Sequence, residues 1–180
     1  MRKPLSPLRV NAAELLRRPG AEKHVDIEVP LADLGIPVEG AEADERFAPG
    51  AEVAVHLRLE ALSDGIVVDG TLDVPWQGTC RRCLADTAGV LRSEVHELYQ
   101  RVITDPDAFE LGSDLLELAP LVRELVLLDA PATPLCRPDC AGLCPTCGVN
   151  RNETPCGCAP APTDPRWEGL AGLKDLLAPE

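Results

Sequence analysis

Eight cysteines in a chain of 180 residues call for a chemical explanation. Two of them form the C-x-x-C Cys80-Arg81-Arg82-Cys83, and six run Cys136, Cys140, Cys144, Cys147, Cys156 and Cys158. Two thiolates three residues apart can chelate one tetrahedral ion. Gly148, directly after Cys144-Pro145-Thr146-Cys147, lets the backbone turn left-handed so that amides point at sulfur. A single C-x-x-C is weak evidence for a metal, but here Cys156 and Cys158 follow closely as a second pair. The eight divide into two sets of four: a local set, Cys144, Cys147, Cys156 and Cys158, and a long-range set, Cys80, Cys83, Cys136 and Cys140. Spacing alone does not exclude exchanged partners such as Cys140 with Cys144. Either partition uses only protein sulfur and leaves no open coordination position, the signature of structural zinc.

Other chemistries fit less well. Cys140, Cys144 and Cys147 have the C-x3-C-x2-C spacing of cluster-binding radical enzymes, but those place it near the start of a large barrel. A plain iron–sulfur protein is closer, yet zinc suits the closed sets better. A redox role for Cys80 and Cys83 needs a strand-to-helix setting, and the sequence offers strand to loop. A disulfide framework belongs to secreted chains, and MRKPLSPLRV at the N-terminus is not followed by the apolar stretch of a secretory signal. No apolar run approaches the roughly 20 residues needed to cross a bilayer. The expected location is the cytoplasm, with no membrane partner. There is no nucleophile–base pair, Gly-rich phosphate loop or carboxylate motif, so no small-molecule substrate is expected. His24, His56 and His96, on separate expected strands, read as surface or core histidines, and Asp64, Asp69 and Asp73 as turn and surface residues.

These cysteines must be positioned by elements with a core of their own. Nearly half the residues are apolar (45%) but only 3% are aromatic, so that core is aliphatic. In residues 52–62, Val53, Val55, Leu57 and Leu59 face one way and Ala54, His56, Arg58 and Glu60 the other, the alternation of a half-buried strand. Ser63-Asp64-Gly65 is a tight turn. Ile66, Val68, Leu72, Val74 and Trp76 continue a second strand that delivers Cys80 at its end. Residues 23–29 read as a further strand. Residues 90–102 fit a helix by Leu91, Val95, Leu98 and Val102, or a strand face by Val90, Arg92, Glu94, His96 and Leu98. The strand is preferred because a third strand completes a stable sheet. Residues 8–18 predict a helix ending at Pro19-Gly20, residues 35–51 a surface loop, and residues 115–118 a short apolar piece. Pro120 opens a helix with Leu121, Val122, Leu125, Val126 and Leu128 as its apolar stripe. A last helix is expected over 164–177. Residues 136–158 are too rich in Gly and Pro for a core. The expected domains are an α+β unit, 1–134, with an antiparallel sheet and packed helices, and a cysteine-rich zinc module with the C-terminal helix, 135–180.

The charge is split. The net charge is −13, yet residues 1–20 hold five basic residues against Glu14, a balance of +4, leaving −17 for the remainder. An acidic body disfavours a general nucleic-acid binder and suits solubility or a basic protein partner. Arg81, Arg82, Arg137 and Arg151 gather near the cysteines against Asp139 and Glu153, a local excess of +2. Such arginines balance zinc–thiolate charge or touch RNA.

The stretch GIVVDGTLDVPWQGTCRRCLADT resembles the hallmark strand and C-x-R-C of the YceD family. The likeness continues through HELY at 96–99, LLELAPLVRELVLLDAP, CRPDCAGLCPTCGVNRNETPCGC and DPRWEGLAGL, covering about residues 50–175. The resemblance implies a role in accumulation of large-subunit (23S) ribosomal RNA, and it favours the strand over 90–102. Together these readings lead to a non-enzymatic ribosome-biogenesis factor with structural zinc. Its expected partner is a large-subunit precursor or ribosomal RNA, with a basic ribosomal protein as a further candidate. The alternatives are a thiol oxidoreductase, or an acidic protein-interaction adaptor without RNA contact.

Overall fold

The computed structural model describes residues 8–112, 114–159, 164, 166 and 167. Its strands are β1 (Arg9–Asn11), β2 (Glu22–Pro30), β3 (Glu52–Ala61), β4 (Gly65–Thr79), β5 (Asp86–Gln100), β6 (Phe109–Glu110) and β7 (Leu115–Glu117). The helices are α1 (Ala12–Leu16) and α2 (Ala119–Asp129), with a 3-10 turn at Leu31–Leu34. Sheet therefore dominates. The main sheet runs β2-β3-β4-β5-β6, antiparallel except for β6, which lies parallel to the end of β5. A separate ribbon pairs β1 with β7. Among the described residues, no helix is long and apolar enough to cross a membrane.

Alternation decides which face is buried. Val53, Val55, Leu57 and Leu59 of β3, with Ile66, Val68, Leu72 and Val74 of β4, are all at most 2% exposed. They form one aliphatic layer, roofed by Leu121, Val122 and Val126 of α2, by Leu8 and Val10, and by Leu31 and Leu34. The opposite face stays wet, and all three histidines lie on its strands. There His56 meets Asp26, Arg58 meets Glu22, Glu60 and Asp69, and Arg92 meets Asp73. Strand β5 follows the same rule, with Ser93, Val95 and Tyr99 inside and Val90, Arg92, Glu94 and His96 outside. It starts four residues earlier than expected.

Three local readings need correction. Residues 9–11 are a strand, and the helix begins only at Ala12, because Asn11 caps it: its side chain accepts the Glu14 N–H at 3.2 Å. The strand exists because Arg9–Asn11 pairs with Leu115–Glu117, with Arg9 bonded to Glu117. The loop over 35–51 is not wholly superficial, since Ile36, Val38 and Phe47 are buried in the core. In α2, Leu128 falls off the stripe and is 71% exposed. The helix expected over 164–177 lies outside the described residues apart from Asp164, Arg166 and Trp167.

That loop also ends α2. The Arg46 guanidinium donates to the Leu127 and Ala130 carbonyls, both at 3.1 Å, where unsatisfied acceptors and the negative end of the helix dipole coincide. Asp44 holds the guanidinium there at 2.7 Å. Arg46→Gln is expected to cost about 1–2 kcal/mol, seen as a lower melting temperature at neutral pH. The Arg46 hydrogen bonds hold the Asp44 carboxyl below its ordinary 3.8. This contribution is therefore complete above that value and is lost as pH falls through the lower folded one. The gap between wild type and Arg46→Gln should close in acid. A gap that stayed constant down to pH ~2, below the usual carboxylate range, would assign the loss to packing alone.

Candidate metal centres

Strands β4 and β5 stay paired to their tips, Thr79 opposite Asp86, well past the last β3 partner of β4 at Asp73. The two-stranded arm ends in the Cys80–Ala85 turn, closed by Cys80 N–H to the Ala85 carbonyl at 2.8 Å and Leu84 N–H to the Cys80 carbonyl at 2.9 Å. Leu84 takes φ 60, the left-handed conformation that turns the chain back after Cys83. The second C-x-x-C repeats this turn bond for bond. Cys144 N–H reaches the Val149 carbonyl at 2.8 Å, Gly148 N–H reaches the Cys144 carbonyl at 2.9 Å, and Gly148 has φ 74. Both have the form of a metal knuckle; Gly148 adopts the left-handed backbone without strain, whereas Leu84 carries the cost of a side chain there.

All eight cysteines are free thiols, grouped as Cys80, Cys83, Cys136 and Cys140, and as Cys144, Cys147, Cys156 and Cys158. Within each set the four sulfurs lie within 4.8 Å of one another. The Cys80 and Cys140 sulfurs are 3.8 Å apart, those of Cys83 and Cys136 3.6 Å. A disulfide would need about 2.05 Å. Four sulfurs placed about 2.3 Å from one ion stand about 3.8 Å apart. In the long-range set these two spacings match a tetrahedral shell, and in both sets the donors fit a thiophilic ion.

The electrostatics agree. The Cys80 thiol is pushed down to about 6 by the N–H groups of Cys136, Cys83 and Arg82. The Cys144 thiol is also pushed down to about 6, by the N–H groups of Cys147 and Thr146 and then by Cys156. Burial, followed by the neighbouring sulfurs, pushes Cys136 up to about 12, and Cys147 and Cys144 push Cys158 up to about 12. Protein groups thus supply for each set the donors that stabilise the first thiolate, while burial and the neighbouring sulfurs oppose the last. A bound dication removes that opposition.

The long-range set joins the arm tip to the chain after α2. Arg81 N–H donates to the Pro134 carbonyl at 3.0 Å, and the Pro134 ring sits where a Cβ on Gly78 would come within 2.9 Å of it. Arg82 locks the strap between the two sites. Its guanidinium donates to the Cys140 carbonyl at 3.0 Å and the Pro138 carbonyl at 3.3 Å, and its own carbonyl accepts Leu143 N–H at 2.9 Å. Arg137 pairs with Asp139 at 3.3 Å and donates to Asn152 at 2.7 Å. Arg81, Arg82, Arg137 and Arg151 are all exposed, and the Arg81 guanidinium also donates to Thr133 Oγ1 at 3.4 Å. Sequence reasoning missed Asn152, which touches a sulfur of the other set. The Asn150-Arg151-Asn152 run inside a ligand loop was its only signal.

Fold and site define a sheet protein that presents a coreless cysteine-rich segment through two centres able to hold metal ions. The chain belongs to the family described as Large ribosomal RNA subunit accumulation protein YceD, whose pattern matches residues 68–174 and so includes every cysteine. An uncharacterized protein of Mycobacterium tuberculosis is 36% identical over 184 aligned positions, covering 97% of this chain and 84% of that protein. One of Mycobacterium leprae is 32% identical, covering 98% and 80%. A Zea mays protein named Large ribosomal RNA subunit accumulation protein YCED homolog 1, chloroplastic, is 35% identical over 70 residues, 38% of this chain and 22% of that protein. No solved structure matches.

Proposed function

We propose that this chain is a non-enzymatic factor of large-subunit assembly that supports accumulation of the 23S RNA, working in the cytoplasm with one structural zinc ion in each four-cysteine set. The observation that carries the reading is the family match, which takes in β4 from Val68 onward, β5, α2 and both sets together. Its non-enzymatic part is supported by the closed donor sets: four protein sulfurs complete a tetrahedral shell and leave no position for water or substrate. The redox alternative is weakened by the same grouping, because no cysteine of the eight stands apart from a set. The acidic body suits a basic ribosomal protein, and Arg81 and Arg151 suit the RNA backbone, whereas Arg82 and Arg137 are engaged in holding the strap.

Depletion of the protein is expected to lower mature large-subunit RNA relative to small-subunit RNA. In a sucrose gradient part of the protein should travel with large-subunit precursors and leave them at high salt, because phosphate contacts weaken steeply with ionic strength. Arg81→Gln with Arg151→Gln should release it at lower salt without changing metal content. An unchanged subunit ratio, with the protein remaining at the top of the gradient, would favour the adaptor or redox alternatives.

A further inference from the structure

The two cysteine sets share one side chain outside their sulfurs. Asn152 lies in the loop between Cys147 and Cys156, both of the local set, yet its Nδ2 donates to the Cys140 sulfur of the long-range set at 3.3 Å. Its amide orientation follows from its neighbours. Oδ1 accepts from Ala141 N–H at 2.8 Å and the Arg137 guanidinium at 2.7 Å, both donors, while Nδ2 also meets the Asn150 Oδ1 at 2.8 Å, an acceptor. The loop that carries Asn152 has backbone ties to the strap: Arg151 N–H to the Gly142 carbonyl at 2.9 Å, and Leu143 paired with Asn150. Asn152 itself is partly buried, and residues 151, 153, 154 and 155 of the loop are exposed. With so little apolar surface to bury, the loop depends on its two ends being clamped at Cys147 and Cys156.

We infer that the two metal sites are energetically coupled: filling the local site orders the 148–155 loop and so delivers the Asn152 N–H to Cys140, tightening the long-range site. The inference rests on the metal reading above. Asn152 is a positioning residue here, since it touches a ligand and not the ion. A sulfur that accepts an N–H bond carries its negative charge at lower cost, and such outer partners are typically worth about 10–100-fold in metal affinity. The local site loads first, because its four ligands come from one short stretch of chain, whereas the long-range site must close a loop between two distant segments. By linkage, an ion in the long-range site tightens the local one by the same factor.

The test is a titration of full-length apoprotein with Co2+ and Zn2+ against a competing chelator. Asn152→Asp preserves the shape and the acceptor toward Ala141 and Arg137, but sets an oxygen against the Cys140 sulfur. It should weaken the long-range site by about 10–100-fold while both ions still bind at saturation, and shift the sulfur-to-cobalt charge-transfer band to lower energy, a change that looser folding alone would not give. Emptying the local site with Cys156→Ser plus Cys158→Ser should weaken the long-range site by a similar factor, and adding Asn152→Asp to that double variant should cost nothing further. Two bound ions with a long-range affinity indifferent to these changes, or losses that multiply, would overturn the coupling and leave the metal reading standing. A wild-type chain that takes up neither ion would overturn both.

Discussion

Stripping the metal from the purified protein with excess chelator is expected to abolish amide protection across residues 136–158 and at the Cys80–Ala85 tip, while the centres of β3, β4 and β5 remain protected. Before stripping, elemental analysis should find two zinc ions per chain. Residues 136–158 bury almost nothing apolar: Cys140, Gly142 and Cys144 are the buried residues of the stretch, and the small cluster there consists of Cys80, Cys83 and Cys140 with Leu135 packed on it. In the proposed reading, metal binding supplies the folding free energy, which for a structural zinc in finger peptides is about 10–16 kcal/mol. The main sheet needs none of this, since its aliphatic layer between β3, β4 and α2 is complete without a cysteine. Cys144→Ser should remove one of the two ions and the protection of 141–158, and Cys80→Ser should free the arm tip. Loss of protection spread evenly over the sheet after chelation would show that the two regions fold as one cooperative unit. Iron with visible absorption in place of zinc would redirect the assignment to a cluster.

Gly70→Ala is expected to be nearly as damaging, although it adds a single methyl group far from any cysteine. Gly70 sits in the middle strand with φ 152, between Leu57 on β3 and Val95 on β5. A Cβ there would come within 2.0 Å of the His56 carbonyl oxygen and 2.9 Å of the Leu57 Cα, both rigid backbone. Relief requires the β3–β4 ladder to separate where it is flanked by Val55, Leu57 and Leu72, all at most 2% exposed. The expected loss is at least about 4 kcal/mol, a large share of the 5–15 kcal/mol that holds a typical domain together. Gly40→Ala separates the two causes. Gly40 also has positive φ, 91, but a Cβ there meets nothing within 4 Å, so only the backbone term of about 1–2 kcal/mol applies. Urea midpoints for the two variants should differ widely. Equal midpoints would mean that the collision at His56 relaxes without cost.

Local regularities were legible wherever one physical rule governed a continuous stretch. Alternation over 52–62 and 66–76 identified the buried face because a strand that covers a core on one side has period two. Pro120 marked the start of α2 because a first-turn residue needs no N–H. The stretch 90–102 satisfied both periods, and as far as Gln100 it is a strand because β4 offers each residue a partner; residues 101 and 102 lie beyond the ladder. The strand at Arg9–Asn11 could not be seen, because its partner at Leu115–Glu117 lies over a hundred residues away and neither piece is long enough to show a period. Phe47 and Ile36 looked like loop residues because burial by a wrapping loop follows no repeat at all.

For the candidate site the division has the same cause. The amino-acid sequence alone marked Cys144, Cys147, Cys156 and Cys158 as a local set, since a short chain keeps their sulfurs near one another, and the tertiary structure ruled out the exchange of Cys140 with Cys144. The sequence also put Cys80 and Cys83 at a strand end as a C-x-x-C, whose knuckle turn the structure supplies. Only the tertiary structure decided that this knuckle meets Cys136 and Cys140, because that depends on β4 and β5 holding register past the edge of the sheet and on Pro134 seating against Gly78. It alone placed Asn152 on Cys140 and set Arg82 and Arg137 to hold the strap. A side-chain hydrogen bond between two loops leaves no mark on spacing or hydropathy, and exists only once the backbone has brought its donor and acceptor within about 3 Å.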